Sequence, residues 1–477
     1  MNISDYLNSK FAPAVDFLDK VFFWDLAKAL GIDTEAKVPF VVVWLVIGGL
    51  FFTIRLKFIN VTGFIHAFKI LRGDYSTSKV EGEVSHFQAL TTALSATVGL
   101  GNIAGVAIAI TVGGPGATFW MIIAGLFGMS LKFVECTLGI KYRKIFPDGS
   151  VSGGPMYYLS KGLEEKGFKG VGVFLAFIYA ILIVLASFGG GNMLQSNQAF
   201  AQFSEVFPGT VGLGLVFGIL MALLVGLVII GGIKSIAKVT SKIVPFMAAI
   251  YVLAALVIIF SNLPHMAETI SLIVKSAFNT TSIAGGVIGV LVVGFQRGAF
   301  SNEAGIGSAS IAHSAAKTNI PVREGFVALL EPFIDTVIIC TMTALVIVFT
   351  GVYEHADGMS GAPLTSKAFA SVISWFPYLL VIAIFLFAFS TLISWSYYGL
   401  KGFGYLFNNI LGRKTSAYIY QALFLIFIVL GATTDLTNVI AFSDMMILGL
   451  AFPNLLGLYM FVPEVLAELR TYRLKYK

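Results

Sequence analysis

Long apolar runs separated by short polar loops make up most of this chain. A helix that crosses a bilayer needs about 20 mostly apolar residues. After a first run near 38–54, the chain holds ten more of roughly this length, which predicts an all-α polytopic membrane protein with 11 crossings. The ten later runs lie near residues 86–112, 117–140, 171–200, 211–231, 237–261, 284–314, 325–350, 376–400, 417–432 and 437–462.

The segment before the first crossing has a different pattern, in which apolar residues recur at helical spacing with charges between them. Phe17, Val21 and Phe22 fall on one face of such a helix. A helix of this kind lies in the membrane interface and does not cross the bilayer. Residues 1–37 are therefore predicted to form an N-terminal interfacial amphipathic segment, and they lack the basic start and apolar run of a cleavable signal peptide.

Lysine and arginine are concentrated in alternate loops between the apolar runs. Cytoplasmic loops carry the excess of these residues. The N-terminus is therefore predicted to lie outside, and the C-terminus, with a tail at 463–477, in the cytoplasm. An odd number of crossings also places the two ends on opposite sides. The expected location is the cell (inner or plasma) membrane, with the lipid bilayer as a partner.

Composition supports this class and disfavours several others. Hydrophobic residues are 57% of the chain and charged residues 12%, whereas soluble proteins have about 25% charged residues. The net charge of +6 resides in the loops, so neither nucleic acid nor an obligatory protein partner is expected. Cys136 and Cys340 lie inside predicted helices, and neither a metal-binding histidine motif nor an ATP-binding loop occurs. The chain is not expected to be an enzyme or to hold a cofactor.

One crossing is interrupted at its middle by glycine and polar residues. Residues 95–106 read SATVGLGNIAGV, with Gly99, Gly101 and Asn102 at the centre. Glycine weakens a helix by about 1 kcal/mol relative to alanine, and irregular backbone at mid-membrane is tolerated where it lines a cavity. We interpret this stretch as a broken helix that forms half of a binding site. The alternative is close helix packing, since Gly101 and Gly105 have the small-xxx-small spacing.

A second interruption of the same kind, GIGS, occurs at 305–308, and the FVEC and FIDT segments of the following crossings correspond as well. Five helices are therefore predicted to repeat once, over 86–262 and 284–462, behind an extra transmembrane helix at 38–57. Because five is odd, the second unit enters the membrane from the opposite side. This inverted repeat is the architecture of many secondary transporters. Chance similarity of two glycine motifs is the alternative.

Two broken helices that meet in the membrane present backbone N–H groups and positive half-helix ends to an anion. Their freed carbonyl groups can hold a small cation. The residues alone therefore predict a zwitterion or small carboxylate as substrate, together with Na⁺ or H⁺. They do not select the solute.

Four stretches resemble the alanine/glycine:cation symporter family: TTALSATVGLGNIAGVA at 91–107, GGPGATFW at 113–120, FSNEAGIGSASIAH at 300–313 and STLISWSYYG at 390–399. The similarity extends over nearly the whole chain. It implies a LeuT-like fold of two inverted five-helix repeats behind one N-terminal crossing. It also implies sodium-coupled symport of alanine, or of glycine or D-alanine, across a prokaryotic plasma membrane. Some relatives favour glutamine, so a proton- or sodium-coupled symporter of another neutral amino acid is the alternative.

The predicted substrate site combines the two interruptions with neighbouring residues. The backbone of the glycine motifs is expected to contact the carboxylate and ammonium groups of an amino acid. Thr92 and Gln88 lie about two and three turns before Gly99 on the same face, with ordinary interhelical hydrogen bonding as the alternative. Large aromatic residues are expected to form an apolar wall and gates that limit side-chain size. The complete set is Gln88, Thr92, Gly99, Gly101, Asn102, Phe188, Phe295, Phe300, Gly305, Gly307 and Trp395.

Hydroxyl groups in the apolar stretch FLFAFSTLISW are candidates for the sodium site. Ser390 and Thr391 offer hard oxygen ligands, alongside the carbonyl groups of Thr97 or Val98. The resemblance to LeuT-like folds implies such a pair on the eighth core helix. The alternative is that both hydroxyl groups bond back to their own helix, as serine and threonine commonly do.

Charged residues inside the predicted crossings are expected to have partners, because an ionised group at mid-bilayer costs several kcal/mol without one. Arg297 lies on the first half of the second broken helix, and Glu303 lies at its break. Arg297 paired with Asp335 or with Glu303 would form a structural strut or a gate, and the sequence does not rank the two. Substrate contact by Asp335 is a third alternative.

A channel and an intramembrane enzyme are the rival classes. A channel is typically lined by rings of identical polar residues, and an enzyme needs a metal cluster or an acid–base pair. The sequence offers only the carboxylates named above. Accumulation against a gradient would indicate a symporter, downhill flow a channel, and product formation an enzyme.

Overall fold

Helices make up nearly all of the computed structural model, which describes residues 12–476 except 14, 18, 33–35, 76–79, 280–284, 357, 360, 435 and 436, without the side chains of 437–440. Two short strands, β1 (Lys144–Ile145) and β2 (Val151–Ser152), pair antiparallel in a loop. The described part of the chain is thus the predicted all-α fold with one small hairpin.

The N-terminal region contributes one long apolar helix and several short ones. They are α1 (Leu26–Ala29), α2 (Phe40–Arg55), α3 (Ile59–Thr62) and α4 (Phe64–Arg72). Helix α2 coincides with the predicted extra crossing at 38–57. Helix α4 buries Ala67 and Ile70 and exposes Lys69, the pattern of a helix at a polar–apolar boundary. Residues 1–11 of the predicted interfacial segment lie outside the described residues.

The region predicted as the first repeat begins with a bent helix pair, because the axes of His86–Thr97 and Gly101–Gly113 differ by 51°. Its elements are α5 (His86–Thr97), a π-helical turn (Gly101–Gly105), α6 (Val106–Gly113), α7 (Ala117–Lys141), α8 (Pro155–Tyr157), a π-helical turn (Tyr158–Gly162), α9 (Leu163–Glu165), α10 (Lys169–Phe188), a π-helical turn (Gly189–Met193), α11 (Leu194–Val206), a 3₁₀ turn (Pro208–Thr210), α12 (Gly214–Ile229) and α13 (Gly232–Ser261).

A 3₁₀ turn (Leu263–His265) and helix α14 (Met266–Ala277) lead into the second region, which also begins with an interrupted helix. Its elements are α15 (Gly286–Asn302), α16 (Ala309–His313), α17 (Pro321–Ala328), α18 (Leu330–Pro332), a π-helical stretch (Phe333–Cys340), α19 (Thr341–Thr350), a 3₁₀ turn (Val352–His355), α20 (Ala362–Ala370), α21 (Phe376–Leu411), α22 (Arg413–Thr433), α23 (Thr437–Gly449), α24 (Ala451–Met460) and α25 (Val462–Tyr476).

By length and composition, 7 helical segments in the described part of the chain can cross a membrane, and the bent pair α5–α6 is an eighth. Helices α2 and α12 are apolar but 16 residues long. These segments confirm a multi-pass membrane protein. Each predicted run coincides with at least one helix, while the count of 11 crossings and the inverted five-plus-five repeat stay predictions.

Small residues bring α7 and α15 into close contact. A methyl group on Gly298 would lie 2.9 Å from Cβ of Ala124, and one on Gly294 would lie 2.6 Å from the carbonyl oxygen of Ala117. Small residues allow membrane helices to approach in this way. Helix α7 also packs against α16 and α17, so the interruption between α15 and α16 lies beside it.

Candidate functional site

The first interruption lies between α5 and the π-helical turn that begins at Gly101. Val98 leaves the helical conformation, with ψ at 89°, and the chain bends by 51°. A helix break exposes amide groups that the helix no longer satisfies. Here Oδ1 of Asn102 accepts a hydrogen bond from the amide of Gly99 at 2.8 Å, so the broken turn satisfies its own backbone.

The second interruption lies between α15 and α16. Glu303, Gly305 and Gly307 have left-handed backbone conformations, with φ of 55°, 88° and 82°, and glycine adopts these most readily. Side chains from other helices bond the freed backbone groups. The amide of Gly307 donates to Oε1 of Glu135 at 3.1 Å, and Nδ2 of Asn454 donates to the carbonyl of Gly305 at 2.8 Å. This bend is therefore fixed by α7 and α24.

The two interruptions are in contact with each other. Nδ2 of Asn102 donates to the hydroxyl of Ser301 at 3.2 Å. A methyl group on Gly101 would lie 3.3 Å from Cα of Ser301. The end of α15 and the middle of the first broken crossing therefore form one continuous surface.

A small cavity of about 20 Å³ lies where the interruptions meet the helices around them. This volume holds about one water molecule, so a larger solute requires the walls to move apart. The walls are formed by Ala96, Thr97, Gly99, Leu100, Gly101, Gly190, Gln195, Phe300, Glu303, Trp395 and Ile447. The predicted site residues among them are Thr97, Gly99, Gly101, Phe300, Glu303 and Trp395.

Glu303 and Gln195 bring polar side-chain groups into this cavity. The carboxylate of Glu303 accepts hydrogen bonds from Nε1 of Trp395 at 3.0 Å and from the hydroxyl of Ser308. Gln195 donates through Nε2 to the carbonyl of Gly190 at 2.8 Å. Among the described residues, Oε1 of Gln195 has no hydrogen-bond partner although it is buried. Because buried polar atoms are normally bonded, this oxygen is available to an N–H donor in the cavity.

The predicted sodium ligands on α21 lie against the first interruption. The hydroxyl of Thr391 donates to the carbonyl of Ser95 at 3.0 Å, and the hydroxyl of Ser95 donates to the carbonyl of Ser390 at 2.6 Å. A methyl group on Gly99 would lie 2.6 Å from Oγ1 of Thr391. The hydroxyl of Ser390 bonds back to its own helix at 3.0 Å. The hydroxyl of Thr391 and the carbonyl groups of Ser95 and Ser390 thus lie close together beside the first interruption.

Asp335 is buried beside the first interruption and is bonded by neutral groups. Nδ2 of Asn102 donates to Oδ1 at 2.6 Å, and the hydroxyl groups of Ser301 and Thr336 donate to Oδ2 at 2.8 and 2.7 Å. Within the described chain, no lysine, arginine or histidine lies at ion-pair distance from Asp335 or Glu303. A buried carboxylate without a cationic partner is unfavourable, so both positions attract a cation or a proton.

The prediction that Arg297 pairs with Asp335 or Glu303 is wrong. Its guanidinium bonds to Oδ2 of Asp444 on α23 at 3.0 Å. Arg297 lies on α15 one turn before Phe300, which lines the cavity. At that position Arg297 is directed to the neighbouring helix and not to the carboxylates of the interruption, so the ion pair lies one turn beyond the cavity wall.

Gln88 and Thr92 lie away from the cavity and satisfy hydrogen bonds on and beside α5. Gln88 and Ser85 form the capping box that begins α5, with hydrogen bonds of 3.0 and 3.2 Å. Thr92 donates to the carbonyl of Gln88 at 2.7 Å and contacts the hydroxyl of Thr240 on α13 at 3.2 Å. Their geometry favours the alternative of local and interhelical bonding over substrate contact.

Two predicted aromatic residues pack against other rings instead of lining the cavity. Phe188 stacks on Phe427 with 4.6 Å between ring centroids, and Phe295 lies 6.2 Å from Trp120. The remaining predicted residues outside the walls support the backbone of the interruptions. They are Asn102, Gly305 and Gly307.

Among the residues of this region that were not predicted, two have polar side chains with a signal in the sequence, Gln195 and Asp444. Gln195 follows the glycine-rich stretch GGGN at 189–192, which forms a π-helical turn within a crossing. Asp444 is the one charged residue in the run 437–462. A polar residue next to glycines and a lone charge in an apolar run are both default indications of a functional position.

Comparison with known proteins assigns a family to this geometry. The profile described as the sodium:alanine symporter family matches residues 28–477. The chain belongs to this family. This is a family of cation-coupled amino-acid symporters and not of enzymes, and its description implies Na⁺ as a coupling ion. The family predicted from the sequence motifs is thereby confirmed.

Individual relatives and a solved structure agree with this assignment. The chain is 40% identical to the sodium/alanine symporter AgcS of Methanococcus maripaludis, over 91% of this chain and 94% of that protein. It is 38% identical to the probable sodium/glutamine symporter GlnT of Bacillus subtilis, over 89% and 86%. Its fold is similar to that of MhsT, solved in complex with L-phenylalanine, with a TM-score of 0.56, 14% identity and coverage of 82% and 93%. At that identity the likeness shows the fold alone.

Proposed function

We propose that this chain carries out sodium-coupled symport of a small neutral amino acid, with alanine as the preferred substrate, into the cell by alternating access. The observation that carries this proposal is the cavity where the two interruptions meet. It combines the backbone of Gly99 and Gly101 with Oε1 of Gln195 and the rings of Phe300 and Trp395. A site of this kind offers polar contacts to both charged groups of an amino acid and little room for its side chain.

The substrate ammonium is assigned to Oε1 of Gln195 and the carboxylate of Glu303, both of which accept hydrogen bonds. The substrate carboxylate is assigned to the backbone at Gly99 and Gly101, where the next helical segment begins and its positive end is directed. The side chain then faces the apolar part of the wall, which includes Phe300. Any amino acid requires the walls to move apart, and alanine requires the least movement because its side chain is a methyl group.

Sodium is assigned to the contact between α5 and α21, where Thr391 meets the carbonyl of Ser95. The carbonyl groups of residues 97–98 lie at the same break. Asp335, joined to the break through Asn102, supplies negative charge that attracts the cation. Because Na⁺ and the substrate bind the same interruption, each strengthens the binding of the other by an equal factor.

The ion pair of Arg297 and Asp444 is assigned as a gate. Their side chains are 16% and 10% exposed, so the pair lies between the cavity and the solvent. Phe300 is one turn along α15 from Arg297, and Ile447 is one turn along α23 from Asp444, and both line the cavity. Separation of α15 from α23 therefore opens the ion pair and the apolar wall together. In the predicted topology this gate faces outward.

Transport of glutamine is the second candidate, because the relatives include a probable sodium/glutamine symporter. The cavity disfavours it, since a longer side chain requires Phe300 and Trp395 to move. Proton coupling in place of sodium is a further variant of the same class. For orientation, the concentration of lysine and arginine in alternate loops supports an outside N-terminus and a cytoplasmic C-terminus in a prokaryotic cell membrane.

The proposal is tested with the purified full chain in proteoliposomes. An inward Na⁺ gradient is expected to drive accumulation of labelled alanine above its external concentration, more strongly than of glutamine, and replacement of Na⁺ by K⁺ is expected to abolish it. Thr391→Val is expected to weaken the sodium dependence, whereas Thr433→Val, which removes an exposed hydroxyl bonded to its own helix, serves as the control. Uptake unchanged by removal of both Na⁺ and the pH gradient would contradict symport.

A further inference from the structure

Five titratable side chains from five helices form a network, called the charge network below, that is separate from the cavity. They are His86 on α5, Glu324 on α17, His313 on α16, Glu331 on α18 and Lys132 on α7. His86 contacts Glu324, which bonds Nδ1 of His313 at 2.6 Å, and Lys132 donates to Glu331 at 2.8 Å. Every side chain except that of His86 is completely buried. The charge network therefore extends from the surface into the interior.

One contact of the charge network lacks a hydrogen bond. Nε2 of His313 and Oε2 of Glu331 face each other at 3.6 Å, which is within ion-pair distance but too long for a hydrogen bond. Both atoms are buried, and in the described part of the chain neither has a hydrogen-bond partner. Because buried polar atoms are normally bonded, this pair is arranged to close when a hydrogen is placed between the two atoms.

The formal charges of the charge network balance when one proton is added. Lys132 carries one positive charge against the carboxylates of Glu324 and Glu331, which leaves a negative charge while both histidines are neutral. An uncompensated charge in the interior is unfavourable. A proton on His313 removes it, because the imidazolium has two N–H donors and faces one glutamate at each nitrogen.

His86 connects the charge network to solvent. Its side chain is 21% exposed, and together with Lys317 and Arg323 it lines a cavity of about 200 Å³. These residues belong to the side of the molecule whose loops are rich in lysine and arginine, which we predict to be cytoplasmic. A proton that enters at His86 passes to Oε2 of Glu324. After the carboxyl group turns, the same proton passes to Nδ1 of His313, provided that the neutral ring carries its own hydrogen at Nε2.

The surrounding charges favour His313 as the group that holds the proton. The other titratable or charged groups near the charge network are Arg323, Lys317 and Tyr75 at the His86 end, Arg143 near Glu324, and Cys136, Glu135, Glu303 and Tyr398 near Glu331 and Lys132. On the helices packed against α5 and α17 they are Lys401, the exposed Lys234, Lys238 and Lys242, and His66, Lys69 and Arg72. His86 faces one carboxylate, that of Glu324, and has Arg323 and Lys317 beside it. His313 has two carboxylates instead.

We propose that this charge network is a proton site, distinct from the sodium site, which takes one proton from the cytoplasm through His86 and Glu324 onto Nδ1 of His313. The imidazolium formed in this way then closes the contact between its N–H group at Nε2 and Oε2 of Glu331. The charge network joins α5 to α7, α16, α17 and α18. The far end of α5 forms the first interruption, and the other four helices surround the second interruption. Occupancy of the site is therefore linked to the movement of α5 during transport. This linkage rests on the proposed symport, whereas the proton site itself does not.

The proton site is tested by nuclear magnetic resonance on the purified full chain labelled with ¹⁵N-histidine, since the chain has 5 histidines. Between about pH 5.5 and pH 9, the range in which histidine titrates in proteins, the His313 ring is expected to change from two protonated nitrogens to one. Glu331→Gln is expected to remove the doubly protonated form at the pH where the natural chain holds it. His265→Gln, at a side chain 67% exposed, is the control.

The signal of His313 is assigned by its loss in His313→Gln, or by elimination from substitutions of the other histidines if that variant does not fold. A ring that keeps one protonation state throughout, or that is unaffected by Glu331→Gln, would show that these groups are a permanent structural strut. Either result overturns the proton site.

The linkage is tested in proteoliposomes with a constant Na⁺ gradient. The rate of alanine uptake is expected to vary with pH on the face that carries His86, and this dependence is expected to be lost in Glu331→Gln. It is expected to be retained in Glu468→Gln, which removes a half-buried carboxylate paired with Lys141. An uptake rate that does not depend on the pH at this face overturns the linkage. Absence of sodium-driven uptake contradicts the proposed function instead, and the resonance experiment then decides the proton site alone.

Discussion

The two interrupted crossings carry similar sequences, GLGN and GIGS, but use their glycines for different purposes. In the first, Gly99 and Gly101 have ordinary negative φ values, and what they provide is space. Thr391 and Ser301 lie where a methyl group would be. In the second, Gly305 and Gly307 have positive φ values, so what they provide is conformational freedom.

The two interruptions also differ in what holds them. The first is closed by its own Asn102 and lines the cavity with backbone. The second is fixed by side chains from three other helices, among them Tyr179, which donates to the carbonyl of Ile306 at 2.8 Å. Hydroxyl groups of Thr391 and Thr365 also bond the first interruption, at the carbonyl groups of Ser95 and Ile103. The comparison predicts that substitutions in the first interruption act mainly on ligand binding and those in the second mainly on stability.

The largest effect is expected from Gly307→Ala. A left-handed alanine costs about 1–2 kcal/mol, and its methyl group would lie 2.6 Å from Pro155, which adds about 1–3 kcal/mol of overpacking. We expect a clear loss of thermal stability, measured by size-exclusion chromatography after heating. Gly412→Ala has a similar φ of 78° with no atom within 4 Å among the described residues, so it should lose the conformational part alone. Equal stability of the two variants would contradict the fixed second interruption.

Gly99→Ala is expected to have the next largest effect, on sodium rather than on folding. Its methyl group would lie 2.6 Å from Oγ1 of Thr391 and would separate α5 from α21. We expect the apparent sodium affinity for alanine uptake to fall by about tenfold or more, equivalent to about 1.4 kcal/mol. Gly105→Ala, in the same segment and with space for a methyl group among the described residues, should keep the original affinity. A normal sodium dependence in Gly99→Ala would remove the cation from this contact.

Trp395→Phe tests the carboxylate that the second interruption places in the cavity. The change keeps an aromatic ring but removes the N–H that donates to Glu303 at 3.0 Å. A hydrogen bond to a charged group is worth about 1.5–3 kcal/mol, so we expect a decrease in thermal stability of this order together with a higher KM for alanine. Trp375→Phe, at a side chain 62% exposed, is the control. An unchanged KM would show that Glu303 does not contact the substrate.

Thr92→Val should give the smallest effect and defines how far the site extends along α5. It removes the contact with Thr240, and one such hydrogen bond contributes about 0.5–1.5 kcal/mol. We expect a small decrease in thermal stability and an unchanged KM for alanine in the uptake assay. A selective rise in KM would return Thr92 to the substrate site.

The positions of the helices and both interruptions could be predicted from the sequence, because hydropathy and glycine content are local properties. The predicted residues on the interruptions themselves, such as Gly99 and Glu303, also line the cavity. Residues chosen by their place on a helix face, such as Gln88, do not, and of the four aromatic residues chosen only Phe300 and Trp395 do. A helix face seen in the sequence does not reveal which neighbouring helix covers it.

The partner of Arg297 shows the same limit. The sequence predicted that this charge has a partner, since the cost of an unpaired charge in the bilayer depends on the environment alone. It did not reveal that the partner is Asp444, 147 residues later, because that pairing depends on how α15 packs against α23.

The sequence by itself determined that this is a multi-pass helical membrane protein of a symporter family with two broken crossings. These features follow from apolar length, from glycine at mid-membrane and from long motifs, all of which are written along the chain. Only the tertiary structure decided that the two breaks touch, that Gln195 and Ile447 complete the cavity, and that His313 and Glu331 face each other across an open gap. Such pairings join residues far apart in sequence, and their geometry is set by the packing of helices that local patterns do not specify.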